Sequence, residues 1–429
     1  MNYKETIKFL YNNLTVYHIN GKKAYKPGLK NILKLDSALN NPHKNYRIVH
    51  IAGTNGKGTT AQGISRITNS NDIKTGLYTS PHIKDFRDRI RVNEKKISKK
   101  YIISFIESNF DLIKNIRPSF FEITTIMALN YFKYKKVDLA IIEVGLGGRL
   151  DSTNIINSFI SIITNISYDH QNILGNKLIN IANEKSGIIK KNSIFIKGEK
   201  QNNIDNIFVK KCNKLKTKYI KSYENVKIKS LSKNIFSRKI NIKTNKLEFI
   251  LNIRPSTNYY LKNIPSIINA SHIILKKFKI KISKHSFYGL ENLTNKSSLR
   301  GRWQIHSKKP LIISDGCHNI ESINNIINEL NSYKYEKIYF IIGRVKDKKW
   351  EKIIEILPNN FNYILSKPNN KRAIDPIQLG VYFKKNQLNY IIIKEVNNAI
   401  FYCKNKLKSN KELIFIGGSF FLISDINEK

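Results

Sequence analysis

The sequence predicts an α/β protein with two parts: a large parallel-sheet unit with a small antiparallel β extension, then a smaller α/β unit. Three observations support this prediction. In the first half, continuous apolar strands alternate with helical segments, which is typical of a parallel sheet covered on both faces. Short alternating segments follow between residues 225 and 252. A strand–helix rhythm then restarts after residue 298, and a length of 429 residues fits two or three domains.

Three apolar runs in the first half have the composition of buried strands. They are Arg47–Ala52, Asp138–Val144 and Phe159–Ile166. A glycine loop follows the first run, and we expect a helix to begin near Thr59. The antiparallel extension is predicted from the segments Val226–Ile228, Ile240–Ile242 and Leu247–Leu251.

A polar stretch from Asn292 to Ser298 marks the predicted domain boundary. Beyond it, apolar runs predict strands at Leu311–Ser314, Lys337–Ile342 and Leu413–Ile416. Strands that alternate with helices at this spacing are typical of a Rossmann-like α/β domain. We therefore expect an N-terminal domain of residues 1–296 and a C-terminal domain of residues 297–429.

The chain is strongly basic, with 75 Lys and Arg residues against 31 Asp and Glu residues and a formal net charge of +44. Such a balance normally indicates a nucleic-acid partner. The positive residues are spread along the whole chain, however, and Ile, Asn and Lys, which have AT-rich codons, are all abundant. Because compositional drift explains this pattern, we expect no nucleic-acid partner.

The composition also limits where in the cell the protein is expected. No apolar run approaches the ~18 residues of a membrane span, and residues Met1–Leu10 lack the apolar core of a signal peptide. The three cysteines, Cys212, Cys317 and Cys403, lie far apart without C-x-x-C spacing, which excludes a disulfide framework or a cysteine zinc site. We expect a cytoplasmic protein without a membrane partner.

A glycine-rich loop directly after the first strand carries the strongest local signal. It consists of Gly53, Thr54, Asn55, Gly56, Lys57, Gly58 and Thr59. Glycines let backbone N–H groups approach phosphate oxygens, a helix N-terminus presents unpaired donors, and the lysine adds a point charge. The spacing differs from GxxxxGK[ST], so a glycine turn with an incidental lysine is also considered. The strand–loop–helix context favours a phosphate-binding loop (P-loop).

Glu143 ends the second predicted strand, at the edge where open α/β sheets bind ligands. A carboxylate beside a phosphate loop suits Mg²⁺, which prefers oxygen ligands and keeps several waters. Two other residues are ambiguous on their own. The simplest interpretation of His170 is a structural histidine, and that of Lys185 is a solvated surface lysine.

Residues Ala52–Thr59 resemble the phosphate loop of the folylpolyglutamate synthase and dihydrofolate synthase family, relatives of the Mur ligases. Further blocks resemble that family in its order, and together they span nearly the whole chain. These blocks are Tyr78–His82, Phe120–Glu122, Glu143–Asp151, Asp169–His170, Glu184–Ile188, Gly301–Gln304 and Asp315–Asn319. So many blocks in one order make the resemblance highly specific.

The resemblance implies an ATP-dependent ligase that adds L-glutamate to dihydropteroate and to folyl-(poly)glutamates through an acyl phosphate, with ATP and Mg²⁺. It implies a Mur-ligase-like ATP-binding domain, a C-terminal glutamate-ligase domain and a monomer. Catalytic positions fall on Lys57, Lys185 and His318, and carbamylation of Lys185 is carried over as a hypothesis. ATP contacts fall on Thr54, Asn55, Gly56, Lys57, Gly58, Thr59, Asn269, Arg302 and Asp315. Magnesium positions are Ser80, Glu143 and His170, and pterin or folate positions are Phe120, Phe121, Glu122, Leu150, Asp151 and Ser152.

The chain departs from the family pattern at three places. Ala24–Pro27 stands where members that use dihydropteroate have a Thr-Ile-Asp-Leu stretch, Ile320 replaces a proline, and Phe421 replaces a histidine. Because of the first departure, folylpolyglutamate synthase activity alone stays open as a second hypothesis. Three further hypotheses are a Mur-type ligase for a cell-wall precursor, a feeble ligase weakened by drift, and a basic P-loop protein that binds nucleic acid.

Overall fold

The computed structural model describes residues 1–15, 27–292, 300–346 and 351–427. The chain divides into two compact units. The N-terminal unit comprises Met1–Arg254 and Tyr260–Ser298, and the C-terminal unit comprises Pro255–Tyr259 and Leu299–Lys429. The predicted boundary between residues 296 and 297 and the substituted residues 24–26 lie outside the described residues.

The N-terminal unit is built on an eight-stranded sheet of order β4-β3-β2-β5-β1-β6-β7-β8. The strands are β1 (Arg47–Ala52), β2 (Thr75–Tyr78), β3 (Ile90–Val92), β4 (Lys95–Lys96), β5 (Leu139–Glu143), β6 (Ile160–Ile163), β7 (Ile194–Lys197) and β8 (Lys218–Lys221). From β2 to β8 in the spatial order all pairs are parallel, while β3 and β4 form an antiparallel edge. The fold is therefore α/β with a predominantly parallel sheet, as predicted.

The strands form because their side chains are apolar on both faces and are covered by helices. The whole of β5 is buried, and β1 is buried from its second residue onward. The helices of this unit are α1 (Tyr3–Asn12), α2 (Lys30–Ala38), α3 (Lys57–Asn69), α4 (Lys99–Ser108), α5 (Phe110–Ile116), α6 (Phe120–Tyr134), α7 (Gln171–Leu174), α8 (Leu178–Ser186), α9 (Asn202–Leu215) and α10 (Ser222–Asn225). Short 3₁₀ turns cover Pro42–Asn45, Phe86–Arg89 and Ser152–Ile155.

Two predicted elements close to the glycine loop differ from the structure in their bounds. The helix expected near Thr59 begins at Lys57, inside the glycine loop. The third apolar run forms a strand only at Ile160–Ile163. It leaves the sheet after Ile163 because Asn165 accepts hydrogen bonds from the glycine loop, from the backbone N–H groups of Thr54 and Asn55.

The predicted antiparallel extension is confirmed. A three-stranded meander consists of β9 (Val226–Lys233), β10 (Arg238–Thr244) and β11 (Glu248–Ile253). Burial alternates along β11, so one face of the meander is covered and the other is exposed. The covered face contacts the 3₁₀ segment Lys284–Asn292, where Phe249 stacks on Phe287 at 5.0 Å between ring centroids. The unit also contains α11 (Asn258–Leu261), whose first residues cluster with the other unit, and α12 (Ile264–Lys277).

The C-terminal unit has a six-stranded sheet of order β12-β13-β17-β14-β15-β16. Its strands are β12 (Gln304–Lys308), β13 (Leu311–Ser314), β14 (Lys337–Ile342), β15 (Asn362–Leu365), β16 (Tyr390–Ile392) and β17 (Glu412–Gly417). All pairs except β12–β13 are parallel, which confirms a Rossmann-like arrangement and the three predicted strands. Its helices are α13 (Ile320–Asn331), α14 (Glu351–Ile354), α15 (Pro376–Lys385), α16 (Val396–Lys406) and α17 (Phe420–Ser424).

Residues 255–259 cluster with the C-terminal unit although they precede it in the chain. Three hydrogen bonds fix this segment. The Asn258 backbone N–H donates to Glu329 Oε2 at 2.7 Å, and the Tyr259 hydroxyl donates to Asp315 Oδ2 at 2.6 Å. The hydroxyls of Ser256 and Tyr333 lie 3.1 Å apart. The C-terminal unit is therefore assembled from two stretches of the chain.

Across the described ranges, none of the helices combines the length and the apolar character that crossing a bilayer requires.

The central position of β5 yields a test of the sheet. Ile141 is fully buried and pairs with Val49 and Leu77 on the two neighbouring strands. We expect Ile141→Ala to lower the free energy of unfolding by about 2–5 kcal/mol, because it leaves a cavity in a packed core. Ile250 on β11 is 48% exposed, so Ile250→Ala should cost at most about 0.5 kcal/mol. Urea unfolding of both variants checks this, and equal losses would contradict the described core.

Candidate active site

The glycine loop after β1 has a backbone shape that only glycine permits at two positions. Gly53 has φ +149°, and an added Cβ would lie 1.8 Å from Thr164 Oγ1. Gly56 has φ +83°, and an added Cβ would lie 2.1 Å from Asn263 Oδ1. Positive φ and close approach together exclude a side chain at both positions. The loop therefore presents bare backbone N–H groups at the start of α3, which suits binding of an anion.

The segment after β6 holds this loop open. The Thr54 backbone N–H donates to the Asn165 backbone oxygen at 3.0 Å, and the Asn55 N–H donates to Asn165 Oδ1 at 2.9 Å. The Thr54 hydroxyl donates to the Ser167 backbone oxygen at 3.1 Å and accepts from the Ser167 N–H at 2.9 Å. The loop shape is thus fixed by hydrogen bonds to the segment that follows a neighbouring parallel strand.

Two lysines share one backbone carbonyl at the base of the loop. Lys57 Nζ donates to the Gly53 oxygen at 3.0 Å and to the Thr54 oxygen at 3.1 Å. Lys185 Nζ donates to the same Gly53 oxygen at 2.9 Å. Lys185 is buried, so the interpretation of a solvated surface lysine is wrong. Burial first, and then the Lys57 charge, lower the pKa of Lys185 to about 7, while Asp169 and Asp151 oppose that change.

Glu143 lies against the loop, as the topology predicts. It ends β5, and in the register of the sheet it pairs with Ile51 on β1. Its carboxylate is buried, and Oε2 accepts from the Ser80 backbone N–H at 3.0 Å. An added Cβ on Gly58 would lie 3.4 Å from the same Oε2, so the carboxylate contacts the first turn of α3.

The three predicted magnesium positions follow three strands of one sheet. Ser80 comes two residues after β2 and Glu143 ends β5, so both lie at the carboxyl edge, and His170 comes seven residues after the end of β6. In the described part of the chain, no group of three or more His, Cys, Asp and Glu side chains is arranged to hold a metal ion. One carboxylate with a hydroxyl is a sparse oxygen donor set, which fits Mg²⁺ because that ion keeps several waters.

The predicted folate residues at the start of α6 divide into two kinds. Glu122 Oε2 accepts from the Ser119 backbone N–H at 2.6 Å and completes a capping box, so its carboxylate has a structural role. Phe120 is buried, with Tyr11 stacked on it at 5.3 Å between ring centroids. Phe121 packs on Gly145, where an added Cβ would lie 2.4 Å from the ring.

The segment Gly145–Ser152, here called the substrate loop, contains the remaining predicted folate residues. Its shape is set by Asp151, whose carboxylate is buried. Asp151 Oδ2 accepts from the Leu146 N–H at 2.8 Å, and Oδ1 accepts from the Thr153 N–H at 3.0 Å and hydroxyl at 2.5 Å. The Gly145 N–H is a further donor. Burial raises the pKa of Asp151, and these hydrogen bonds oppose that change. Because the carboxylate accepts N–H groups from Leu146 and from Thr153, it ties the two ends of the loop together.

In the C-terminal unit the structure brings Arg302, Asp315 and His318 to one region around Phe420. The Arg302 guanidinium lies 4.5 Å from the Phe420 ring centroid, and the His318 ring lies 5.9 Å from it. Asp315 follows β13 and is buried. Its Oδ2 accepts from the Tyr259 hydroxyl and, at 2.9 Å, from the Trp303 N–H. Burial raises the pKa of Asp315, while the Arg302 charge opposes that change.

The contacts of His318 assign its tautomer. His318 Nδ1 lies 2.8 Å from the Gly316 backbone oxygen, which can only accept, so Nδ1 carries a proton. A neutral ring in this position has its lone pair on Nε2. Asn269, the remaining predicted ATP residue, lies on α12 in the N-terminal unit, where Nδ2 donates to the Pro265 oxygen at 2.9 Å and the Ser222 oxygen at 3.3 Å.

Two residues of the site were missed by the sequence analysis. Asn263 lies beside Gly56, and the Thr60 hydroxyl donates to its Oδ1 at 3.5 Å. Nothing in the sequence signals this contact, because about 200 residues of chain separate the partners. Asn165 lies in the third predicted strand, just past the end of β6, so its position at the edge of the sheet was a usable signal.

Comparisons with known proteins cover both units. The family described as Mur ligase middle domain matches residues 51–295, and the family described as Mur ligase, glutamate ligase domain matches residues 301–420. The dihydrofolate synthase/folylpolyglutamate synthase of Buchnera aphidicola (subsp. Schizaphis graminum) is 33% identical over 387 residues, which is 87% of this chain and 86% of that protein.

Solved structures are similar over nearly the whole length. The folylpolyglutamate synthase of Thermotoga maritima is 29% identical with a TM-score of 0.81, covering 98% of this chain and 95% of that chain. A complex of FPGS, a folylpolyglutamate synthase, with AMPPCP and folate is 25% identical with a TM-score of 0.83, covering 99% of this chain and 98% of that chain.

The two glycines that flank Lys57 form a matched pair for a test of the loop. Gly56→Ala places a side chain at positive φ and against Asn263, so we expect it to lower the free energy of unfolding by about 1–3 kcal/mol. Gly58→Ala adds a Cβ to α3 at an ordinary contact distance and should leave the unfolding free energy nearly unchanged. Thermal and urea unfolding check this, and equal destabilisation by both variants would contradict the described loop.

Proposed function

This chain belongs to the Mur ligase family, and on that premise we propose that it adds L-glutamate to dihydropteroate and to folyl-(poly)glutamates at the expense of ATP. The 33% identical relative has both synthase activities in its name. The observation that carries the proposal is the contact between the Glu143 carboxylate and the first turn of α3, beside a loop of bare N–H groups. That arrangement suits a magnesium-bound triphosphate.

The chemistry must overcome the poor electrophilicity of a carboxylate. A carboxylate oxygen of the pterin substrate attacks the γ-phosphorus of ATP, and ADP leaves, giving an acyl phosphate. The glutamate amine then attacks the acyl carbon, the C–N bond forms, the C–O bond breaks and phosphate leaves. Because the transfer step involves little covalent chemistry with the protein, the residues act mainly by positioning and by offsetting charge.

The phosphate loop would both position the triphosphate and offset its charge. The N–H groups at the start of α3 would donate hydrogen bonds to phosphate oxygens. Lys57 would exchange its hydrogen bonds to the Gly53 and Thr54 carbonyls for hydrogen bonds to the transferred phosphoryl group. Ser80, Glu143 and His170 would hold Mg²⁺, which offsets charge on the phosphates. Arg302, Asp315 and Asn269 are the other proposed ATP contacts.

Lys185 is proposed to act as a carbamate. Only a neutral amine adds CO₂, and a pKa of about 7 leaves roughly half of this amine neutral at pH 7. Carbamylation converts a buried cation into an anion and removes its repulsion of Lys57. The resulting carboxylate oxygens would provide a further metal contact at a site whose protein donors are few.

His318 is proposed to accept a proton from the glutamate ammonium, since an ammonium is not a nucleophile. Its Nδ1–H bond to the Gly316 oxygen orients the ring and places the lone pair on Nε2, the arrangement that a general base needs. On the substrate side, Phe121, Leu150 and Ser152 would contact the pterin, while Glu122 and Asp151 hold the backbone in place.

The decisive experiment measures ADP formation with dihydropteroate and then with tetrahydrofolate, each with and without glutamate. We expect glutamate-dependent ADP release with both acceptors. Release with tetrahydrofolate alone would support folylpolyglutamate synthase activity only. Lys57→Ala should lose at least about 100-fold in turnover without a change in unfolding temperature. Lys100→Ala, an exposed lysine on α4, is the control. No glutamate-dependent release with either acceptor, or an active Lys57→Ala enzyme, would contradict the proposal.

The Lys185 carbamate gives a pH-dependent prediction. Below pH 7 the amine is protonated and does not add CO₂, and above pH 7 it is neutral and does. Enzyme freed of CO₂ should therefore be inactive, and bicarbonate should restore activity more completely at pH 8 than at pH 6. Lys185→Arg, which stays charged, should remain inactive at either pH. Activity independent of CO₂, or an intact mass without the added CO₂, would contradict carbamylation.

A further inference from the structure

A histidine without an assigned role lies in the middle of β1. His50 is fully buried, and it lies three residues before Gly53, the first residue of the phosphate loop. In the sheet it pairs with Ile142 on β5 and Ser161 on β6. The residues around it on this strand are apolar, as expected for a central parallel strand. A polar ring at such a position costs solvation free energy unless its hydrogen bonds compensate.

The ring is connected to the substrate loop through one hydroxyl. His50 Nε2 lies 2.8 Å from Thr153 Oγ1, and the Thr153 hydroxyl lies 2.5 Å from Asp151 Oδ1. Asp151 Oδ1 also accepts from the Thr153 backbone N–H, and the Thr153 hydroxyl is the donor to that same oxygen. The hydroxyl oxygen is then the acceptor for His50, and Nε2 must be the donor. The three groups form a directed chain from β1 to Asp151.

The second ring nitrogen supports this direction. Among the described residues, His50 Nδ1 is buried without a hydrogen-bond partner. Burial, with a smaller contribution from Lys190, lowers the pKa of His50 well below its usual value, so the ring is neutral. A neutral ring with its proton on Nε2 leaves an uncompensated lone pair at Nδ1. An apolar residue would avoid the cost of burying this lone pair. The hydrogen bond to Thr153 is therefore the property that a histidine provides at this position and an apolar residue does not.

The hydrogen-bond series from His50 through Thr153 ends at Asp151, the residue that shapes the substrate loop. Asp151 accepts hydrogen bonds from the backbone of Gly145 and Leu146, at the start of the loop, and from Thr153, just after its end. A shift of the carboxylate therefore moves both ends of the loop. The start of the loop also contacts Phe121 through Gly145.

We propose that His50 is a positioning residue for the pterin substrate. Through Thr153 and Asp151 it fixes the substrate loop relative to β1, the strand that leads into the phosphate loop. The role of this loop in substrate binding rests on the proposed function. The hydrogen-bond chain itself is independent of it. The relay predicts an effect on the pterin substrate that is separate from ATP binding, because the phosphate loop is held separately by Asn165 and Ser167.

The variants distinguish a role of His50 as a hydrogen-bond donor from a role in packing alone. His50→Leu removes the donor and retains most of the volume, whereas His50→Gln retains an N–H donor near the Nε2 position. Thr153→Val removes the hydroxyl at constant shape. The matched control is His43→Leu, because His43 is also a buried histidine, with Nδ1 2.9 Å from Asp36 Oδ1, and it lies before β1.

Steady-state kinetics give the first readout. We expect His50→Leu to raise KM for dihydropteroate about tenfold, because Thr153 loses a buried hydrogen-bond donor, with kcat and KM for ATP nearly unchanged. His50→Gln should restore most of the loss, and His50→Leu combined with Thr153→Val should be no worse than either single variant. His43→Leu should lower stability without changing KM. The proposal is wrong if KM for ATP rises in parallel, if Gln behaves as Leu, or if the two substitutions add.

Nuclear magnetic resonance of the full chain with ¹⁵N-labelled histidine gives a readout that needs no turnover. We expect the His50 imidazole proton on Nε2, protected from exchange, and a shift of its resonance in Thr153→Val. A proton on Nδ1, or a resonance insensitive to Thr153→Val, would overturn the relay. A chain that is inactive with every acceptor but shows this resonance pattern would refute the proposed function alone.

Discussion

The site depends on one backbone carbonyl. The Gly53 oxygen accepts from Lys57, at the start of α3, and from Lys185, on α8, and this brings two lysine amines together at the phosphate loop. Such an arrangement is electrostatically unfavourable in a buried position, and it contributes to the lowered pKa of Lys185. The proposed triphosphate, or conversion of one amine to an anion, would relieve the repulsion. The loop keeps its shape beside these two amines because hydrogen bonds join it to Asn165 and Ser167, which follow the neighbouring strand.

Much of the fold was predictable because the signals are local and redundant. Continuous apolar strands such as β5 are typical of a parallel sheet buried on both faces, and alternation in β11 is typical of a sheet with one exposed face. The contact of Glu143 with the phosphate loop follows from the same logic. Adjacent parallel strands bring their carboxyl ends to one edge, so a residue that ends β5 must lie near the loop after β1.

The rest could not be predicted because it depends on burial and on distant partners. No local sequence signal distinguishes the buried Lys185 from the many solvated lysines. Nor does the apolar strand around His50 indicate that the ring contacts Thr153. Glu122 and Asp151 show a different difficulty, in which the motif is recognised but the contact that each side chain makes is not. Their motif is specific, yet the structure commits both carboxylates to backbone N–H groups, a capping box in one case and a loop closure in the other. Motifs locate a loop more reliably than they assign the atom that acts.

The segment 255–259 bears on how the chain can be divided. It clusters with the C-terminal unit and donates the Tyr259 hydroxyl to Asp315. A recombinant fragment that starts at Leu299 would therefore be truncated in its own interior, since the buried carboxylate of Asp315 would lose a donor and Glu329 its bond to Asn258. Each unit is therefore built from two separate stretches of the chain, and neither unit is one continuous segment of the sequence. Recombination between relatives at a single crossover would exchange an incomplete module, which favours inheritance of the pair as one piece.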